Sequence, residues 1–400
     1  MVPDGWKRAS VRECGDISAG RQRSPSFTEG VLRPYLRVAN VFEAYIDTSD
    51  VNEMPFTDKE YQRYKLEPGD ILLNEGQSTE LVGRPAMYKG KPENCCFQNT
   101  LVRFKANKNV DAEYALQRFL LCLYDGTFQS ISKKTTSIAH LGVSRFAELE
   151  LSWPPLPEQK KISQTLSIWD KAITTTEQLL VNSQQQKKAL MQQLLTGKKR
   201  LLDKDGVRFS GEWKWLKARD LFKAVSKKNN SESEELLAVT QDQGVLPRSL
   251  LERRVVMPDG STQGYKLVVP GNFIISLRSF QGGLEYSNYQ GLVSPAYTVL
   301  EPIKEIDDNF YKQYYKSYDF IGHLAVAVIG IRDGKQVSYE DFSFLKIPYP
   351  ELEEQEKISD ALSAADREIT ALRRDLITLK KEKKALMQQL LTGKRRTKVE

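Results

Sequence analysis

The sequence predicts a mixed α/β chain: two globular domains separated by two long helices that form an antiparallel coiled coil, pseudo-two-fold symmetric. Three observations predict it. The string KKALMQQLLTGK occupies 187–198 and returns at 383–394. A long stretch without glycine or proline runs into each copy. The segments upstream of the two stretches differ in sequence but share a set of landmarks.

The offset of 196 residues (187 to 383) also holds further upstream. Glu158-Gln159 matches Glu354-Gln355, and Lys161-Ile162-Ser163 matches Lys357-Ile358-Ser359. Leu166, Asp170 and Ile173 match Leu362, Asp366 and Ile369. Solenoid repeats have periods of about 20–50 residues and several copies, so two copies this far apart mean a duplicated domain-plus-helix module. The expected divisions are a first domain over 1–152, a first helix over 153–200, a second domain over 201–349, a second helix over 350–396 and a tail over 397–400.

In the first domain, Trp6-Lys7 opens the chain and a Pro68-Gly69 turn leads into the apolar strand through Leu73. An aromatic-rich helical stretch follows from Glu113 to Tyr124, then a short strand from Phe146 to Trp153. Prolines 154, 155 and 157 mark the start of the first helix. Its apolar positions are Ile162, Leu166, Trp169, Ile173, Leu180, Leu190 and Leu194, interrupted by Thr176, Ser183 and Lys187. The second domain repeats the landmarks with Trp213-Lys214, the Pro270-Gly271 turn into Phe273-Ile274-Ile275, a helical stretch from Phe310 to Phe320 and a strand from Phe342 to Tyr349. In that helical stretch Tyr311, Tyr314, Tyr315 and Tyr318 fall at helical spacing, which favours rings in a core over a base-stacking platform. Pro348 and Pro350 precede the second helix, whose apolar steps of four and three run through Ile358, Leu362, Ala365, Ile369, Leu372, Leu376, Leu379, Leu386 and Leu390. That is a coiled-coil seam, and Lys383 fills its one missing position. Gly197 and Gly393 stand where C-terminal cap glycines belong. Helices this long cannot keep an apolar stripe in water, so the two copies pair with each other or each pairs with another chain.

The charge balance, 59 Lys and Arg against 52 Asp and Glu, gives +7 and permits an anionic partner such as nucleic acid. Cys14, Cys95, Cys96 and Cys122 form no C-x-x-C pair and lie far in sequence from His140 and His323, so reduced thiols are expected rather than a metal site. The N-terminus lacks a secretory apolar region and no stretch reaches the roughly 18 apolar residues of a membrane span. A soluble, cytoplasmic protein is expected. Catalytic signatures are missing too. Gly197-Lys198 ends a helix instead of forming a phosphate loop, and there is no Asn/Asp-Pro-Pro-aromatic tetrapeptide and no glycine-rich strand–turn–helix for a methyl donor. Glu158-Gln159-Lys160 has a nuclease-like E-x-K form, but its counterpart Glu354-Gln355-Glu356 lacks the lysine.

Taken together, Pro155-Leu156-Pro157-Glu158-Gln159-Lys160-Lys161-Ile162 opening a long helix, Lys187 to Lys198 closing it, and the whole unit written twice resemble the specificity (S) subunit of Type I restriction–modification systems. The second copy reads Glu351-Leu352-Glu353-Glu354-Gln355 without the leading prolines. The resemblance implies a non-catalytic subunit with two target-recognition domains. Each reads one half of a bipartite, asymmetric site on double-stranded DNA, and the helices set the spacing between halves. It also implies two modification (methyltransferase) subunits and two restriction (endonuclease/translocase) subunits as partners. S-adenosylmethionine, and ATP with magnesium, would sit on those partners and none on this chain. An orphan or regulatory DNA-binding adaptor built on the same module is the other reading.

Base readout calls for Arg, Lys, Asn, Gln, Ser or Thr on loops at a groove. The candidates in the first domain are Gln77, Ser78, Thr79, Arg84, Ser132, Lys133, Lys134, Thr135 and Thr136, within a polar run that also holds Ser130 and Ser137. In the second they are Arg278, Ser279, Gln281, Arg332, Lys335 and Gln336. The basic helix ends, Lys198-Lys199-Arg200 and Lys394-Arg395-Arg396, suit the C-terminal dipole better than phosphate.

Overall fold

The computed structural model describes residues 2–135, 137–228, 234–241, 243–251, 264–328 and 337–398. Two compact units divide the chain, one of Met1–Glu177 with Arg374–Glu400 and the other of Gln178–Arg373. The units do not follow chain order. Each contains one globular domain, the N-terminal half of the helix that follows it, and the C-terminal half of the other long helix.

In the first unit the core sheet is antiparallel, in the order Gly15–Ala19, Leu101–Ala106, Ile71–Asn74, Pro85–Met87. The strand after the Pro68-Gly69 turn is central, which is why all four of its residues, Ile71 to Asn74, are buried. A second sheet of Cys96–Phe97, Val31–Leu36 and Asn52–Phe56 flanks it. The aromatic stretch forms the helix Ala112–Tyr124, started by the Asp111 side chain accepting from the Tyr114 backbone N–H. Its Phe119 stands edge-on to Phe104 and Phe146, with ring centroids 5.0 and 5.2 Å apart. Edge-to-face pairs of this kind add to the energy of burial alone. The strand Lys7–Ser10 after Trp6 pairs antiparallel with Glu150–Trp153, so the start of the domain is tied to its end.

The second unit repeats the plan. Its antiparallel sheet runs Phe222–Val225, Thr298–Pro302, Phe273–Ile275, Glu285–Tyr286, and Lys214–Lys217 pairs with Lys346–Tyr349. The stretch expected as one helix from Phe310 to Phe320 is two, Asp308–Tyr314 and Tyr318–Val328. The break has a local cause: the Ser317 hydroxyl accepts from the Phe320 backbone N–H and starts a new helix. Tyr311, Tyr314 and Tyr315 are fully buried, as helical spacing suggests, while Tyr318 at the break is 79% exposed.

The long helices are Leu156–Leu194 and Leu352–Leu390, 39 residues each. At 1.5 Å per residue that is about 58 Å. In the first unit Ile162 and Leu166 pack in one core with Met387, Leu390 and Leu391, so the helix halves run antiparallel. In the second unit Ile358 and Leu362 share a core with Leu194 and Leu195. The apolar seam expected for the second helix is buried or half-buried at every position, Lys383 included. The weaker seam of the first helix uses its interruptions: Ser183 donates to Glu368 at 3.0 Å and Lys187 reaches Asp366 at 2.6 Å. Among the described residues no helix is long and apolar enough to cross a membrane.

Both helices end at the expected glycines. Gly197 and Gly393 each have φ of +71°. The amides of Lys199 and Arg395, two residues beyond, reach back to the carbonyls of Gln193 and Gln389, both at 3.0 Å. A left-handed residue at this place satisfies carbonyls that the helix leaves free. The two sites differ in what surrounds them. A Cβ on Gly197 would meet Trp213 at 3.4 Å, whereas one on Gly393 would come within 2.3 Å of the Pro3 ring. Gly197→Ala is expected to cost about 1 kcal/mol for the left-handed backbone alone, and Gly393→Ala distinctly more. Urea unfolding of the two variants beside the parent measures both.

Candidate nucleic-acid interface

Two of the sequence-predicted segments of the first domain meet in space. Gly76–Gln77 pairs with Ala139–His140, which pairs in turn with Lys133–Lys134. The small antiparallel sheet thus sets the Gln77-Ser78-Thr79 segment and the Lys133-Lys134 segment on either side of His140. Strands of two residues leave no periodic trace in a sequence, so this juxtaposition was not legible beforehand. His140 holds the centre: its Nδ1 lies 3.1 Å from the Glu75 carboxylate, and Arg145 donates to its backbone carbonyl at 2.8 Å.

The side chains in this patch are not equally free. Lys133 and Lys134 are exposed and make no ion pair among the described residues. Gln77 and Thr79 are half-buried, and the Gln77 side-chain carbonyl accepts from the Ser78 backbone N–H. Ser78 also supplies the carbonyl that turns the chain at Leu81 and Val82. Three hydroxyls of the polar run are occupied by local backbone carbonyls: Ser130 donates to Thr127, Ser132 to Phe128 and Thr135 to Ile138. Ser132 and Thr135 therefore shape the turn, and the lysines carry its charge. Thr136 lies outside the described residues. Arg84 lies under a hairpin, its guanidinium 4.8 Å from the centre of the Phe42 ring, and burial pushes it below its usual basicity.

In the second domain Arg278 and Gln281 are exposed on the short turn of helix Ser279–Gly282, which follows the central strand as Gln77 follows Asn74 in the first. Ser279 needs correction. It is fully buried and its hydroxyl accepts from the Ser276 backbone N–H at 2.8 Å, so it braces the turn from inside and cannot reach a ligand. Arg332, Lys335 and Gln336 lie outside the described residues.

The basic helix ends are also not as expected. Arg396 forms a two-pronged ion pair with Glu158, at 2.8 Å on both prongs, and the Trp6 indole N–H donates to the same carboxylate at 3.2 Å. Arg200 does the same with Glu354, and Trp213 completes the set at 2.8 Å. These arginines serve neither the helix dipole nor a phosphate. Each ties the end of one long helix to the start of the other and to the tryptophan that opens a domain. Gln159 and Gln355 play matching parts: their side-chain carbonyls accept from the backbone of Asp111 and Asp307, and their amides donate to Pro154 and Pro350. The Glu-Gln pair shared by both copies is thereby explained as a joint, which leaves nothing of the nuclease-like pattern.

The family described as Type I restriction modification DNA specificity domain matches residues 3–182 and again 210–381. The chain belongs to that family. Both matches cover a globular domain together with most of the helix after it, the same module found by the internal repeat. Two relatives from Methanocaldococcus jannaschii, the protein assigned as the type I restriction enzyme MjaX specificity subunit and the MjaVIII specificity subunit, are each 25% identical over 99% of this chain and 95% and 94% of theirs. Among solved structures, one described as the structural basis of complex assembly and conformational transition of the type I R-M system matches with a TM-score of 0.62 at 16% identity, over 99% of this chain and 100% of that one. The HsdS subunit from Thermoanaerobacter tengcongensis matches with 0.53 at 17% identity, over 99% and 98%. Those two likenesses show the specificity-subunit fold.

All four cysteines of this family member are buried and unpaired. Burial pushes the thiols of Cys14, Cys95 and Cys96 up to about 12. Thiolates are the reactive form, so these groups stay protonated at pH 8. Ellman's reagent at that pH should report no fast-reacting thiol in the folded chain and four after denaturation.

Proposed function

We propose that this chain is the DNA-recognition subunit of a Type I restriction–modification complex and reads a bipartite, asymmetric site, one half with each globular domain. The observation that carries the reading is the duplicated scaffold with unlike surfaces. The joints at Glu158 and Glu354 are the same in both units, whereas the loops after the central strands differ: Gln77-Ser78-Thr79 in one, Arg278 and Gln281 in the other. Two half-sites read from one frame need this combination, since separation must be fixed while base preference is free to differ. Linking two modest binders also raises their joint affinity through effective concentration.

In this reading Lys133 and Lys134 neutralise phosphates and position the first domain. Gln77 and Thr79, and in the second domain Arg278 and Gln281, face base edges, with Arg332, Lys335 and Gln336 assigned to the same task. The chain carries no chemistry of its own. Methyl transfer to adenine belongs to two modification subunits that hold S-adenosylmethionine, and cleavage to two restriction subunits that use ATP and magnesium, all in the cytoplasm.

Co-purification from the native host tests the assembly. The reading expects an adenine methyltransferase subunit at about two per chain, the stoichiometry that two joints of one kind suggest. Recovery of the chain alone, or with an unrelated effector, would leave an orphan or regulatory DNA-binding adaptor. At the level of residues, Lys133→Ala with Lys134→Ala should weaken binding to all sequences and lower the salt slope of log K by about two. Gln77→Ala should relax preference at one half-site by about 1–3 kcal/mol and leave the other unchanged. Filter binding over a salt series, with a library randomised in each half, reads both effects.

A further inference from the structure

A second repeated polar cluster lies nearer the middle of the long helices than the joints. In the first unit the Asp170 carboxylate accepts from Lys383 at 2.6 Å and from the Gln117 amide at 2.9 Å. In the second, Asp366 accepts from Lys187 at 2.6 Å and from Gln313 at 2.8 Å. All three members recur at the offset of 196, and each comes from a different segment: the aspartate from the helix after the domain, the lysine from the other long helix, the glutamine from the domain's own helix. The lysines sit in the apolar seam, with only 9% of the Lys383 side chain and 18% of the Lys187 side chain exposed. An aliphatic residue would bury there at no cost in desolvation, so a lysine is the expensive choice for stability. A single polar residue in such a seam is known to fix register at the expense of stability, because any slip buries its charge without a partner.

We propose that Asp170–Lys383–Gln117 and Asp366–Lys187–Gln313 are register clamps that select the DNA spacer length. Each sets the axial position of one long helix on the other. The glutamine adds the orientation of the domain, because the same carboxylate holds both. Neither cluster includes a residue assigned above to the DNA, so its residues are positioning residues. The proposal rests on the function proposed above for its DNA readout, but the register it describes does not.

The test uses the full chain with Lys187→Met and Lys383→Met, a change that keeps volume and helix propensity while removing both seam charges. Two readouts are taken. Zero-length carbodiimide coupling reports register: Glu177 and Lys380 stand 2.7 Å apart with both side chains about half exposed, and should give one dominant cross-link in the parent. In the variant that share falls and links from Glu177 to Lys381 or Lys384 rise. In complex with its methyltransferase partner, the parent methylates one spacer length. The variant should lose about tenfold in discrimination against sites one base pair longer or shorter, with half-site preferences unchanged. The Asp170 and Asp366 side chains are 40% and 45% exposed and stay solvated without their lysines, so thermal unfolding should show the variant little changed in stability, which separates a register role from a merely structural one. If the variant fails to fold, the exchange Asp170→Lys with Lys383→Asp substitutes for it: Lys383→Asp alone should lose register and the pair regain it. A single unchanged cross-link together with unchanged spacer discrimination overturns the proposal. A parent complex that methylates no bipartite site would overturn the function proposed above, while the cross-links still decide the register.

Discussion

An apolar seam 39 residues long has to be covered, and everything else in this protein follows from how that is done. An isolated helix with such a stripe has no stable state in water, since helical stability in proteins comes mainly from packing. Duplication supplies the cover without a second chain. Each unit closes one core from a globular domain and halves of both helices, as Ile162 with Met387 and Ile358 with Leu194 demonstrate. The domain and its helix are therefore not separable modules in energetic terms: the same core that buries Phe119 also buries Leu166 and Leu390.

The two buried glutamates of those cores each come with a full set of partners. Glu158 and Glu354 are nearly inaccessible carboxylates, tolerable because each receives an arginine fork and an indole N–H. Buried pairs add little net stability compared with apolar packing, but they penalise every arrangement that separates them. Here they join the start of one helix, the end of the other and the start of a domain. A frame specified in this way can hold two different recognition surfaces without changing itself, which is what a bipartite reader requires.

Much of the fold was legible in the sequence because duplication made it redundant. The repeat marked both helices, Gly197 and Gly393 marked their ends, and the Pro-Gly turns marked the central strands. The clamp left a trace, since Asp170, Lys383 and Gln117 all recur at the helix offset, but that the three meet came only from the structure. The interface was less legible. Its position depends on two-residue strands around His140, which have no periodicity, and sequence cannot tell an outward serine from one turned inward like Ser279. The helix-end arginines misled for a related reason: a basic C-terminus suits the dipole in any helix, and nothing local distinguishes one that has a buried glutamate waiting across the core.

The central claim is that one frame presents two unlike readers. Long-read sequencing of methylated adenine in a host supplied with this chain and its methyltransferase subunit tests it most directly. The account predicts one new motif made of two different short halves separated by a constant unspecified gap. A single uninterrupted motif, a perfect palindrome or an unchanged methylome would contradict it.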